Sequence, residues 1–258
     1  MSRLTTSEAR IDLSVADDTS TAPLLALRRL TAAVGLAMCA DPEPAVVMDL
    51  SCRRGEMLEQ VRLMSPGSRL IGIDPWQDSV LAARRRLGGA AEVCQMNGEA
   101  VRSERLPSLR HGIDLAISTL AISSAPRSLN TLASVLGKLK IGGQLYLTDI
   151  VPPREVRERS LLLSLASGEE SREQLSSMAS AAIGPPELFG LLSDAATASG
   201  RTTAIRISTG GLGGFASGTP QAQQLARDPR VRAALEAMGA HREIVDQVVL
   251  HAHLVREA

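Results

Sequence analysis

Seven residues, Asp49-Leu50-Ser51-Cys52-Arg53-Arg54-Gly55, link a short apolar run to a helical segment, and Asp74 ends the next apolar run 19 residues beyond Gly55. An acid at that offset can accept hydrogen bonds from both ribose hydroxyls of an adenosine, so the loop and the acid together suit a nucleotide-like cofactor. Further along stand Gly98-Glu99-Ala100, then Leu106-Pro107, then the strand-end residues Ser118, Thr119 and Leu120. Other candidate chemistry is thinner. Cys39, Cys52 and Cys94 are an odd set without a Cys-x-x-Cys pair, and read as reduced, mostly buried thiols rather than a zinc site or a thiolate trap for arsenic. His251 and His253 lie two apart and share one side of a strand; with no third ligand they read as half-exposed strand residues, and no metal is expected. His111 and His241 fall in loop-like contexts, and Arg84-Arg85-Arg86 reads as a solvated helix face. No catalytic base stands out.

The elements that must position these residues follow from periodicity. AVVMDL (45–50) and RLIGID (69–74) are continuous apolar runs, each followed by a helical segment, Gly55 to about Met64 and Gln77 to Leu87. Runs at 91–96 and 113–118 precede a helix over Arg127–Leu139, a Gly142-Gly143 turn and the strand QLYLTDI. Strand and helix alternating at this spacing predict an α/β, Rossmann-like doubly wound sheet, mostly parallel, with a cofactor crevice at the carboxyl ends of its strands. A helix over Pro23–Ala40 precedes this core and stops at Asp41-Pro42-Glu43-Pro44. Residues 154–180 read as helical and amphipathic, Pro185-Pro186 opens a helix to about Ala198, and TAIRIS (203–208) reads as a strand. TGGLGGFASG (209–218) reads as a hairpin or a loop, and a polar helix follows from Pro220 to about Met238. The last strand of the sheet falls either at 211–216 or in the final apolar run at 248–255. Residues 1–22, polar and without periodicity, read as a mobile arm ahead of a single domain over 23–258, with a cofactor-binding core at 45–150 and a lid and C-terminal region at 151–258.

These motifs resemble those of the class I S-adenosylmethionine-dependent methyltransferases, in which one strand ends in Asp-x-Gly-x-Gly-x-Gly, a second ends in an acid, and Gly-Asp-Ala precedes the fourth strand. Leu139-Lys140-Ile141-Gly142-Gly143 is similar to the family's Leu-Lys-Pro-Gly-Gly turn. The resemblance covers about 45–150 well and 186–216 loosely, where the glycine-rich segment resembles the quinone and small-molecule C-methyltransferase branch. It implies that S-adenosylmethionine is the cofactor, held by Asp49, Ser51, Cys52, Arg53, Gly55, Asp74, Pro75, Trp76, Gly98, Glu99, Ala100, Ser118, Thr119 and Leu120. Asp74 would hold the ribose, Pro75 and Trp76 would flank the adenine, Glu99 would meet its amino group, and Asp49 would order the loop. The departures are Ser51 and Arg53, which stand where the family has its first two loop glycines. A side chain at the middle position reaches into the space where glycine lets the backbone approach the methionine half of the cofactor. The implied activity is methyl transfer to a quinone or secondary metabolite. The alternative is a catalytically silent subunit that stabilises or activates a paralogous methyltransferase, and a third reading uses the same pocket for a reaction such as cyclisation.

Composition narrows the partners. The 258 residues carry 28 Lys plus Arg and 28 Asp plus Glu, so no basic field draws the chain to nucleic acid or to a membrane surface. No apolar run is long enough to span a bilayer and no leader pattern opens the chain, which gives a cytoplasmic expectation. The expected partners are a small-molecule substrate and a second copy or a methyltransferase paralogue, as a homodimer or heterodimer. One Trp, one Tyr and two Phe are few for a pocket wall, so the substrate site is expected to be aliphatic or partly supplied by a partner.

Overall fold

Apolar runs that are hydrophobic at every position become strands buried on both faces, and here they assemble into a seven-stranded sheet of order β3-β2-β1-β4-β5-β7-β6. The structure, a computed structural model, describes residues 22–39, 43–102, 106–122, 128–166, 168–209, 225 and 227–258. The expected arm therefore lies outside the described residues apart from Ala22, and the glycine-rich segment apart from Thr209.

The parallel strands are β1 (Val46–Asp49), β2 (Arg69–Asp74), β3 (Ala91–Gln95), β4 (Ile113–Thr119) and β5 (Leu139–Ile150). Two antiparallel strands, β6 (Thr203–Thr209) and β7 (Val249–Arg256), complete the sheet, β7 lying between β5 and β6. The final apolar run is thus a strand, and residues 211–216 lie outside the described part. One expectation changes: Gly142-Gly143 is not a turn before a strand but lies inside β5, which pairs with β4 through a register irregularity between Ile113 and Leu115.

Helices cover both faces. On one side α1 (Ala22–Met38), α2 (Glu56–Met64) and α3 (Gln77–Leu87) share an apolar cluster with α5 (Val156–Leu163), α6 (Glu169–Ala181), α8 (Pro229–Met238) and α9 (Arg242–Val248). On the other, α4 (Ser128–Lys138) and α7 (Pro185–Ser199) pack with two 3₁₀ turns, Gly98–Arg102 and Pro107–His111. The helical 154–180 stretch divides into α5 and α6, and α8 begins at Pro229 behind the Asp228 cap, whose side chain accepts from the Arg230 N–H at 2.8 Å. The strand order reverses between β1 and β4, and a crevice opens outside the carboxyl ends of strands at such a point.

Candidate functional site

The loop after β1 turns sharply enough that two residues in it leave ordinary backbone space. Gly55 has φ 83 and approaches α3 so closely that a Cβ would meet Leu87 Cδ1 at 3.0 Å, which is why glycine remains there. Arg53 has φ 47, and Leu120, at the end of β4, has φ 56; these are the non-glycine residues with positive φ among those described. Both flank the switch point, and strain of this kind is held where surrounding structure imposes it.

Asp49 and Asp74 end neighbouring strands and are each 1% exposed. Asp74 accepts the Arg53 N–H on Oδ2 and the Trp76 N–H on Oδ1, both at 3.0 Å, so one carboxylate sets the loop after β1 and the start of α3. Burial raises its carboxyl above the ordinary carboxylate range, opposed by these two N–H groups, the Arg53 charge and a hydrogen bond from the Ser79 side chain. Asp49 Oδ1 accepts the Ser51 N–H at 3.2 Å, while Oδ2 is enclosed without a hydrogen-bond partner. Burial pushes its carboxyl up to about 7, against the Ser51 N–H and the Arg28 charge.

The Arg53 side chain turns inward. Burial first and the Arg28 charge second lower its guanidinium to about 10, against Glu56, Asp74 and Asp49, which act the other way. Its Nε is enclosed without a hydrogen-bond partner. Arg28 reaches down from α1 to Glu56 at the start of α2, with N···O 3.4 Å and both side chains about nine-tenths buried. Two guanidinium groups and three carboxylates therefore meet under α1.

The remaining candidates lie along the same edge. Cys52 donates its N–H to Ile73 O at 3.0 Å, but its side chain packs on β2: a Cβ on Gly72 would lie 2.9 Å from Cys52 Sγ. Any contact of Cys52 with a ligand would come from its backbone. Ser51 is half-buried, and Pro75 and Trp76 are exposed at the α3 entrance, Trp76 at 38%. Gly98, Glu99 and Ala100 form the half-buried 3₁₀ turn after β3, and Gln95 Nε2 donates to Pro75 O at 3.2 Å, tying β3 to the α3 entrance. Ser118 and Thr119 are buried at the end of β4, Thr119 Oγ1 lying 3.3 Å from Met57 Sδ and Ser118 Oγ having no hydrogen-bond partner. Leu120 donates its N–H to Thr148 O at 2.8 Å.

No protein-family profile and no curated protein matches the chain. Solved structures do. The plantazolicin methyltransferase BpumL in complex with SAH superposes with a TM-score of 0.75 at 19% identity, over 91% of this chain and 85% of that one. BamL, a plantazolicin methyltransferase solved with a triazolic desmethylPZN analog and SAH, gives 0.77 at 17% identity over 90% and 86%. The (4+2)-cyclase SpnF gives 0.53 at 17% identity over 89% and 80%. The chain has the class I methyltransferase fold. Within that fold, the fourteen residues picked out by resemblance stand along the carboxyl edge of β1 to β4.

Sequence reasoning missed Arg28, Thr31, Glu56 and Thr148. Arg28 is 8% exposed on a largely apolar helix, and Thr31 Oγ1 meets Thr148 Oγ1 at 2.9 Å between α1 and the sheet. The signal was there, since Arg28 and Thr31 interrupt the apolar spacing of LLALRRLTAAV on the face that carries Leu27. The histidine reading is corrected: His251 and His253 are 0% and 4% exposed rather than half-exposed. His251 Nδ1 bonds Tyr146 OH and His253 Nε2 bonds Gln144 Oε1, each at 2.7 Å, on the sheet face that α1 covers. Of the three thiols expected to be mostly buried, Cys52 is buried and Cys39 and Cys94 are half-buried; burial pushes Cys39 up to about 12 and also raises Cys52 and Cys94, which favours the protonated thiol.

Proposed function

We propose that the chain binds S-adenosylmethionine across the carboxyl ends of β1 and β2 and transfers its methyl group to a small-molecule natural product, a quinone or another secondary metabolite. Asp74 carries this reading. Its two oxygens each accept one backbone N–H, the Ser79 side chain adds a third donor, and a carboxylate has about four acceptor sites, which leaves capacity for a ribose hydroxyl at the switch point of a sheet with the methyltransferase strand order. The charge balance fits as well: three carboxylates against two guanidinium groups leave the cluster net negative when all are ionised, which suits a cationic ligand. When bound, S-adenosylmethionine supplies a methyl group on a cationic sulfur. Trp76 lies against the adenine and Glu99 meets its amino group, while Thr119 and Leu120 border the acceptor. The helices α5 and α6, which share the apolar cluster with α1, act as the lid that excludes water. Methyl transfer to an activated acceptor needs alignment more than a base, and the side chains at this edge supply alignment. The plantazolicin methyltransferases solved with substrate analogs support a natural-product acceptor.

The second reading, a silent subunit beside an active paralogue, is favoured by one observation: an arginine with an enclosed Nε stands at a left-handed loop position that suits glycine. Calorimetric titration with S-adenosylmethionine and S-adenosylhomocysteine tests the first. Micromolar binding that weakens at least ~10-fold in Asp74→Ala is expected. Absence of binding in the unaltered protein sinks the enzyme reading and leaves the silent one, which then requires co-purification with a methyltransferase paralogue.

A further inference from the structure

The cluster beneath α1 holds unsatisfied groups of both signs. Asp49 Oδ2 and Glu56 Oε2 are enclosed acceptors and Arg53 Nε an enclosed donor, none with a hydrogen-bond partner, although Glu56 keeps its ion pair with Arg28 at 3.4 Å. All belong to one charged set, because the charges of Asp49, Glu56, Asp74 and Arg28 all act on the Arg53 guanidinium. Enclosed polar atoms without partners are costly, each ~1–3 kcal/mol, so a fold that keeps both signs together has them where a ligand completes them. A single anion would satisfy the donor and leave the acceptors; a single cation would do the reverse. A zwitterion serves both signs, its ammonium donating to Asp49 Oδ2 and its carboxylate accepting from Arg53.

We infer that Arg53 and Asp49 form a clamp for the free α-amino acid end of the ligand, so that Arg53 replaces the missing loop glycine with a carboxylate-reading side chain. The inference rests on the proposed adenosyl site, since it adds the amino acid end to an adenosine held by Asp74. Three features agree with it. The Arg53 backbone is anchored by its N–H to Asp74 Oδ2 at 3.0 Å, which fixes the root of the side chain beside the ribose acid. Arg28 is engaged with Glu56 at 3.4 Å, which neutralises one carboxylate. Glycine in this position would offer only backbone, whereas arginine offers a fork that fits a carboxylate. The consequence is selectivity: ligands with the intact amino acid end bind, and adenosyl thioethers without it bind far less.

Titration of the unaltered protein with S-adenosylhomocysteine, with its decarboxylated analogue and with methylthioadenosine tests this without altering the chain. S-adenosylhomocysteine is expected to bind about 10- to 100-fold more tightly than the other two. Arg53→Gly, which suits the φ of 47, should fold, and should lose that preference, read as the ratio of S-adenosylhomocysteine to methylthioadenosine affinity. Arg53→Lys should recover it in part, as a cation without the fork. Equal affinity of the unaltered protein for all three ligands overturns the clamp. Tighter S-adenosylhomocysteine binding in Arg53→Gly also overturns it, because the arginine would then be an obstruction. If methylthioadenosine binds and the amino acid end adds nothing, only the clamp fails; if no adenosyl ligand binds either protein, the adenosyl site fails with it.

Discussion

Replacing Asp49 by asparagine should stabilise the protein above neutral pH while removing an acceptor from the candidate site. Asp49 is 1% exposed, with one oxygen bonded to the Ser51 N–H and the other without a partner. Burial moves its carboxyl from 3.8 to about 7. A rise of that size corresponds to a cost of ~4 kcal/mol for ionising the group inside the fold, an upper figure because the cluster's other charges relax around it. The sign follows from the two states. Below pH 3.8 the carboxyl is protonated folded and unfolded, and costs nothing. Between 3.8 and about 7 the folded chain holds the proton and the unfolded chain does not, so stability falls as pH rises; above about 7 the cost is complete and constant. Asparagine keeps an oxygen for the Ser51 N–H and carries no charge. Asp49→Asn should therefore match the unaltered protein at about pH 4 and exceed it at about pH 8 by up to ~4 kcal/mol, a rise of several degrees in Tm for a chain of this size. Differential scanning calorimetry at four pH values between these limits measures it. A Tm difference that does not change with pH, or a lower Tm for the variant at pH 8, refutes the reasoning.

Other substitutions test the surrounding geometry. Arg28→Met removes the cation beside buried Glu56 and should cost ~3–5 kcal/mol, while Arg28→Met with Glu56→Gln should recover most of it; equal losses in both variants would mean the pair is not coupled, as read by urea unfolding. Gly72→Ala puts a methyl group 2.7 Å from Leu58 Cδ1 and 2.9 Å from Cys52 Sγ, and should cost ~1–3 kcal/mol, less when Cys52→Ala clears part of the space. Burial lowers His251 and His253 from 6.5 to about 4, so the stability they contribute is present above 6.5 and lost as pH falls toward 4. Replacing both with glutamine should make the unfolding free energy fall less steeply over that window.

How far the sequence reached depended on whether a residue's role was local. The bounds of β2 and α3 match the sequence expectation residue for residue, because a continuous apolar run and a helical stripe are each specified by their own residues. Asp49 and Asp74 were legible for the same reason, since their offset places both at adjacent strand ends. Roles set by a distant element were not. The alternation around His251 and His253 marks a strand face, but only the folded chain shows that α1 covers that face through Gln144 Nε2 bonding Met38 O and Thr31 bonding Thr148. Arg28 was hidden likewise, because an arginine in an apolar helix is ordinarily read as snorkelling to water, and its partner Glu56 lies 28 positions away on another element. Leu120 carries no mark of its φ of 56, which the chain around it imposes.

Arg53 joins these two kinds of information. Its position in the loop is local and marks it as a departure from glycine; its direction is a tertiary fact. A non-glycine residue in left-handed space costs ~1–3 kcal/mol and its enclosed Nε a comparable amount. Glycine would remove both costs and would also remove the cation that Glu56, Asp74 and Asp49 favour. An arginine that carries these costs, shares one charged cluster with the unpartnered Asp49 oxygen and gives its backbone N–H to Asp74 at 3.0 Å is what the ligand titrations with Arg53→Gly test.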